Sequence, residues 1–342
     1  MTTILAVIPP ERGIALTQSR FIRSLARTEN HHQMRTIALR NVENPNGSGL
    51  QSAKVIQGAK ATKAWPYPLW LAHRGAGKLA PENTLAAFRL GAAHGYRAFE
   101  CDVKLSADGV PFLLHDATLD RTTPASGLAG DRPWAELSQL DAGSWHSRQY
   151  AGEALPTLEA IARYVQSNGF ALNIEIKPSP GMEQVTGEAV GRACARLWAA
   201  AGAGASPLQS PLQSPVPSPA QSPVQSPPFS LLSAPLLAPL LPPLFSSFQP
   251  EALAGAQSTA PAIPRALLLD TLWDGWLPVA RRLGCVAVVT NHQIMDSALM
   301  ATLQSQGLQG LCYTVNDAAA AQRLLALGVV GLITDAVDRF VP

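Results

Sequence analysis

From Trp65 onward, short β-rich runs alternate with stretches of helical periodicity, and no other feature narrows the fold of this chain so far. Candidate strands fall at 69–73, 97–102, 171–177, 244–248, 265–270, 285–290, 310–315 and 330–334. Candidate helices occupy 81–94, 157–166, 182–200, 249–256, 271–283, 295–306 and 317–327. In the first of these, Pro81 suits the opening turn and Gly95 the stop. Strands joined through helices run parallel, and eight of them close into a barrel rather than spread as an open sheet. The reading is an α/β fold, a (β/α)8 TIM barrel over residues 65–342. At 47% hydrophobic and 15% charged, the chain has the apolar residues to fill such a core.

Two segments break the rhythm. After Asp102 the chain runs VKLSADGVPFLLHD, with Asp108-Gly109 between two extended arms, too short a link for a helical crossover. It reads as a hairpin, and antiparallel pairing about that turn brings His115 back beside Cys101 and Asp102. The excursion continues to Pro156, so residues 103–156 read as a small lobe inserted after strand two. The other break, residues 202–243, is rich in Ser, Pro and Gln. Ser-Pro recurs every four residues from 206 to 226, and no charged residue occurs between Arg196 and Glu251. Proline at that density forbids helix and ladder alike. The stretch reads as a low-complexity insertion at a helix-to-strand junction, on the barrel face opposite the catalytic rim. Residues 1–64 carry nothing that places chemistry and read as a disordered or dispensable leader.

The net charge of +2 conceals an asymmetry that bears on partners. Residues 1–63 hold nine Lys/Arg against three Asp/Glu, and the remainder 17 against 21. A mildly acidic folded part argues against nucleic acid as its partner. Cys101, Cys194, Cys285 and Cys312 stand far apart, neither a zinc pattern nor a disulfide framework, which suits a reducing compartment. The opening residues do not read as a signal peptide. The most apolar window, 231–245, is interrupted by four prolines, so stable membrane insertion is not expected and a cytoplasmic protein is. Oligomeric state has no signature here.

Chemistry concentrates in LAHRGAGKLAPENT (71–84), AFECDVKLSADGVPFLLHDATLDRTT (98–123) and LNIEIKP (172–178). His73 and Arg74 directly follow strand one. Glu100 and Asp102 are two apart at the end of strand two, so both point to one side. Glu175 and Lys177 repeat that spacing on the next barrel strand. Three acids at neighbouring strand ends repel one another unless a cation lies between them. A hard divalent ion, Mg²⁺ or Ca²⁺, meets that need, and the lack of nearby cysteine disfavours zinc. His73 and His115 supply imidazoles able to exchange protons near neutral pH. Arg74 and Lys177 supply fixed positive charge for an anion. Such a set suits a phosphate ester, whose transition state spreads negative charge over phosphoryl oxygens. Gly75 and Gly77 fit no phosphate-loop spacing and read as turn glycines. Glu82 and Asn83 are assigned to the helix start, and Asp335 to a supporting place at the rim. His31, His32, His94, His146 and His292 lack chemical company and read as bystanders.

The same residues carry a resemblance. HRGAGKLAPENTLAAF, then ECDVKLSADGVPFLLHD with LDRTT, NIEIK, SSFQPEAL, YTVN and ITD, resemble the bacterial glycerophosphodiester phosphodiesterases of the cytosolic type, from about Trp65 to Asp338. The resemblance implies a βα barrel with a small lobe after strand two. It implies hydrolysis of glycerophosphocholine, glycerophosphoethanolamine and similar diesters to glycerol 3-phosphate and an alcohol. It also implies roles: Glu100, Asp102 and Glu175 as ligands of one divalent cation, His73 and His115 as the acid/base pair, Arg74 and Lys177 as phosphate contacts. Where that family usually places Trp before TVN, this chain has Tyr313, which keeps an aromatic wall for the substrate and adds a hydroxyl. Two other readings share the pattern: a lysophospholipid or sphingolipid phosphodiesterase, which would want an exposed apolar rim, and a barrel that only binds phosphate compounds.

Overall fold

The computed structural model describes residues 65–202 and 240–342; the leader and nearly all of the Ser-Pro stretch lie outside the described residues. In chain order the elements are β1 (Trp70–Ala72), α1 (Leu85–Ala93), β2 (Ala98–Leu105), β3 (Pro111–Leu113), α2 (Trp134–Leu137), α3 (Leu158–Ser167) and β4 (Ala171–Ile176). There follow α4 (Glu183–Gly202), β5 (Leu244–Ser247), α5 (Pro250–Thr259), β6 (Arg265–Leu269), α6 (Trp276–Arg282) and β7 (Ala287–Asn291). The last are α7 (Ser297–Ser305), β8 (Gln309–Tyr313), α8 (Ala318–Leu327) and β9 (Gly331–Thr334). Eight strands pair in parallel, and β1 joins both β2 and β9, with Trp70 opposite Leu332, so the sheet closes on itself. The short strand β3 is the exception, pairing antiparallel to β2 outside the ring.

Strand alternation divides the apolar residues into two populations. Leu71, Ala98, Ala171, Leu244, Leu268, Val289, Leu311 and Ile333 turn inward and fill the barrel. Ahead of β1, Trp65 and Tyr67 pack against that interior group, and the Tyr67 hydroxyl donates to Pro242 O at 3.0 Å. The intervening positions, including Phe99, Cys101, Val103, Ile174 and Ile176, face outward into the layer under the helices. Each such aliphatic or aromatic side chain taken fully out of water contributes about 1.5–3 kcal/mol. No helix among the described residues is long and apolar enough to cross a membrane.

Three elements depart from the sequence reading. The first helix begins at Leu85 instead of Pro81, because Asn83 adopts a left-handed φ of 59° and Thr84 becomes the cap, its side chain accepting from Ala87 N. The helix expected from residue 271 begins at Trp276, behind Gly275 at φ 86°, which leaves Asp270–Asp274 as an exposed loop at the rim. Strand β2 runs on to Leu105, since its outer half is paired on both flanks: Val103 stands opposite Leu113 of β3 and Ile176 of β4. Glu100 and Asp102 therefore lie within the strand and not at its end. The Asp108-Gly109 hairpin forms with Lys104 opposite Phe112, and Leu114 N donates to Asp102 O at 3.2 Å, which delivers His115 to the rim. Beyond it, Phe112, Leu114, Leu119, Ala129, Leu137, Ala142 and Leu155 form a separate small core.

Backbones meet closely at two points. Helices α4 and α5 cross through Gly187 and Gly255, where a Cβ would overlap the carbonyl oxygens of Ala252 and Gln184. In the loop after β1, Gly77 at φ 57° lies on the backbone of Asp335, with Gly77 N donating to His73 O at 2.8 Å. A side chain at Gly77 meets both a strained φ and a backbone wall. Gly77→Ala is expected to lower stability in urea unfolding by at least about 1–3 kcal/mol, the usual cost of one such backbone strain. Unchanged stability would contradict this packing.

Candidate active site

Register brings the acids together before any side chain is placed. On neighbouring strands Asp102 stands opposite Glu175, and Glu100 opposite Asn173, all on the inward face. One oxygen from each of Glu100, Asp102 and Glu175 lies within 4.8 Å of the others. Glu100 Oε2 accepts from Arg74 N at 3.1 Å. Asp102 Oδ2 accepts from Asn83 Nδ2 at 2.8 Å, while Asp102 N donates to Asn83 Oδ1 at 3.1 Å. Thus Asn83, assigned from sequence to the helix start, grips Asp102 at two points, and its left-handed backbone is what aims it inward. One further oxygen of each acid, Glu100 Oε1, Asp102 Oδ1 and Glu175 Oε1, is buried without a hydrogen-bond partner. Three unsatisfied carboxylate oxygens from three residues are the donor set a hard divalent cation takes, and the trio fits such an ion.

The electrostatics carry the strain of this arrangement. Burial pushes the Glu100 carboxyl well above the usual range, and the charges of Asp102 and Glu175 add to it. Glu175 is pushed up to about 7, by burial first and by Asp102 second, with Lys177 opposing. Burial acts on Asp102 too, but Arg74, His115 and Lys177 outweigh it, and its carboxyl ends below the ordinary value. The trio thus shares its negative charge unevenly, with Asp102 the member held ionised.

Both imidazoles are held from behind by a carboxylate. His73 Nδ1 is 2.6 Å from Asp335 Oδ1, and its Nε2 is 3.7 Å from Glu100 Oε2. Asp335 is fixed in turn by Asn316, which donates to Oδ2 at 3.2 Å and accepts from Asp335 N at 2.8 Å. His115 Nδ1 is 2.7 Å from Asp116 Oδ1, and Lys177 Nζ donates to His115 Nε2 at 2.8 Å. With a carboxylate on Nδ1, the proton resides there and Nε2 is the accepting nitrogen, which in His115 is engaged by Lys177. Burial lowers the His115 pKa, as do Arg74 and Lys177, against the raising effect of Asp102 and Asp116. Lys177 Nζ also approaches Glu175 Oε1 at 3.4 Å and Asp102 Oδ1 at 3.8 Å.

A second network lies behind this front. Arg121 donates to both oxygens of Glu82 at 2.7 Å and through Nε to Asp116 Oδ2 at 2.6 Å. Glu82 accepts in addition from Arg74 Nη1 at 2.9 Å. His115 and Arg74 are therefore tied through Asp116, Arg121 and Glu82.

His73, Arg74, Glu100, His115, Glu175, Lys177 and Tyr313 line one cavity of about 240 Å³, and Asp102 is buried beside it. All eight residues singled out from sequence are thus brought together. His94, His146 and His292 are not among the lining residues, and His31 and His32 lie outside the described ones. Sequence reasoning missed Asn173, Ser246 and Phe248, which also line the cavity. For Asn173 and Ser246 the inward strand parity was a usable signal. Phe248, whose ring meets that of Tyr313 edge-on at 5.9 Å, had only its position just beyond β5. Glu82, Asp116 and Arg121 had no local signal, because their contacts span up to 39 positions.

Fold and site together define a barrel enzyme with an acidic, cation-flanked centre at the C-terminal rim. The chain matches the model of the glycerophosphoryl diester phosphodiesterase family over residues 73–211 and 242–339. It is 30% identical over 274 residues to the YhdW protein of Bacillus subtilis, covering 78% of this chain and 94% of that one. It is 41% identical over 120 residues to a glycerophosphodiester phosphodiesterase of Caldanaerobacter subterraneus, 34% of this chain and 49% of that one. An Oleispira antarctica phosphodiesterase, solved in complex with the product sn-glycerol 3-phosphate, is similar with a TM-score of 0.64 and 30% identity, covering 80% of this chain and 95% of that one. This chain belongs to the glycerophosphoryl diester phosphodiesterase family and is a phosphoric diester hydrolase of the glycerophosphodiester type.

The raised pKa of Glu175 fixes the sign of a stability effect. Without an ion, the folded state holds that proton more tightly than the unfolded chain does. Its contribution is therefore favourable at low pH and is lost as pH rises from about 4.5 through about 7. An ion that neutralises the trio removes this loss. Mg²⁺ or Ca²⁺ is expected to raise the thermal midpoint more at pH 8 than at pH 5.5 in differential scanning fluorimetry. A larger increment at pH 5.5 would count against the trio as the binding site.

Proposed function

We propose that this enzyme hydrolyses glycerophosphodiesters, among them glycerophosphocholine and glycerophosphoethanolamine, to glycerol 3-phosphate and an alcohol in a metal-dependent reaction of glycerophospholipid catabolism. The observation that carries this reading is the convergence, on one cavity, of two carboxylate-backed imidazoles, two cations and three buried carboxylate oxygens without a hydrogen bond. The product bound to the Oleispira antarctica relative is support for it. Glu100, Asp102 and Glu175 would hold one divalent cation, Mg²⁺ or Ca²⁺, whose contribution when bound is Lewis acidity toward a phosphoryl oxygen. Arg74 and Lys177 bind and orient the phosphate and balance the charge that grows on it. One of His73 and His115 accepts the nucleophile's proton at Nε2, and the other returns a proton to the leaving alkoxide. Tyr313 and Phe248 wall the cavity and exclude water from one flank of the substrate. The cytoplasm, expected from the cysteine usage, is the setting this reading assigns.

The neighbouring reading is the same chemistry on lysophospholipids or sphingolipids, and it has one observation in its favour. Leu272 and Trp273 in the loop after β6, and Met182 ahead of α4, are exposed large apolar residues on the side of the strand ends. Turnover on glycerophosphocholine is expected to exceed that on lysophosphatidylcholine, and the reverse order would move the assignment to the lipid. Glycerol 3-phosphate release should stop in chelator and return with the divalent ion. His115→Ala and Glu175→Ala are expected to lower turnover by about 10²–10⁴-fold with near-native far-UV circular dichroism. Wild-type rates in either variant would end the proposal.

A further inference from the structure

Lys104 is a buried cation that the proposed reaction does not use. It follows Glu100 and Asp102 on the inward face of β2 and is 3% exposed. Its Nζ makes one hydrogen bond, to Lys177 O at 3.2 Å, and no ion pair among the described residues includes it. An ammonium carries three donors, so two remain uncommitted. Asp102, Glu175 and Asp116 act on it from a distance, but a buried ammonium with no carboxylate in contact and without a full set of acceptors is a costly arrangement. It is readily understood where a ligand completes it.

The space for that ligand is present. Lys104 lines a second cavity of about 180 Å³ together with Pro178, Ser247, Phe248 and Gln249. This cavity shares Glu175, Lys177 and Phe248 with the catalytic one, so the two meet at the Lys177 side chain. A phosphodiester has two esterified arms, and a phosphate held at Lys177 would send one arm into each cavity. The lining of the second has one cation beyond Lys177, the neutral groups of Ser247 and Gln249, and no acid other than Glu175, which belongs to the ion-binding trio. One uncommitted ammonium among neutral polar groups matches a singly charged carboxylate better than a second phosphate, which would need more positive charge.

We propose that this second cavity receives the alcohol arm of the diester and that Lys104 binds a carboxylate on it, so that the enzyme favours diesters of small carboxylate-bearing alcohols. The inference rests on the hydrolytic reading given above. Gln249, exposed at the mouth, is the outer determinant of the same subsite.

Glycerophosphoserine and glycerophosphoethanolamine differ by one carboxylate, which makes them the decisive pair. With the full chain and the divalent ion that supports turnover, kcat/KM is expected to favour the serine diester by about tenfold, the worth of one hydrogen bond to a charged group. In Lys104→Met that ratio should fall toward one, and Lys104→Arg should restore part of it. Gln249→Glu, which places like charge at an exposed position, should also lower the ratio and decides the matter if Lys104→Met fails to fold. A wild-type ratio near one, or a ratio unchanged in Lys104→Met or in Gln249→Glu, would overturn the subsite while leaving hydrolysis intact. Cleavage of neither diester by the wild type would remove the hydrolytic reading and this inference with it.

Discussion

Three carboxylates crowded within 4.8 Å, above a layer of apolar side chains that fills the barrel, dictate much of what surrounds them. Left alone they would neutralise by taking up protons, as the raised Glu100 and Glu175 carboxyls show. What keeps Asp102 ionised is local: the Arg74 guanidinium 3.3 Å away, Lys177 beyond it, and the two-point hold of Asn83. The left-handed backbone at Arg74 and Asn83 is best understood through this demand. It costs conformational energy, and it turns the Arg74 amide toward Glu100 and the Asn83 amide group toward Asp102.

The imidazoles repeat one arrangement from two neighbouring strands, His73 after β1 and His115 from the hairpin on β2. His73 leans on Asp335, from the last strand's end, and His115 on Asp116, its own neighbour in the chain. Both keep Nδ1 on a carboxylate, so proton exchange falls to Nε2, which in His115 also accepts from Lys177. Their supports differ in stiffness. Asp335, just beyond β9, is fixed by Asn316 of the loop after β8, whereas Asp116 depends on Arg121, a 44% exposed side chain in the hairpin lobe. The position of the lobe therefore bears directly on His115.

How much of this was legible depended on whether the signal was periodic or long-range. Residues two apart on a strand share a face, so Glu100 with Asp102, and Glu175 with Lys177, could be aimed from the sequence alone. The strand runs gave eight barrel strands at nearly their true positions for the same reason. Boundaries were less legible where a single backbone angle decided them. Pro81 suited a helix start, but Asn83 turned the chain aside for Asp102, and Gly275 did the same ahead of α6. Lys104 is hidden in the sequence because the strand pattern marks β2 only as far as Asp102, and the three further residues of the strand are what put that lysine inside. Partners such as Glu82 with Arg121 depend on the folded lobe meeting the barrel, and no spacing rule anticipates that.

The crossing of α4 over α5 has a consequence for how the gene can vary. Gly187 and Gly255 bring the helices on either side of the Ser-Pro stretch into backbone contact, and that contact is made entirely by residues outside it. The crossing is therefore made by the flanks, and doubling the length of a flexible link costs only about 0.6 kcal/mol in closure entropy. A longer or shorter link between the two helices leaves this crossing as it is. Two extra methyl groups at the crossing would weigh more than many added residues.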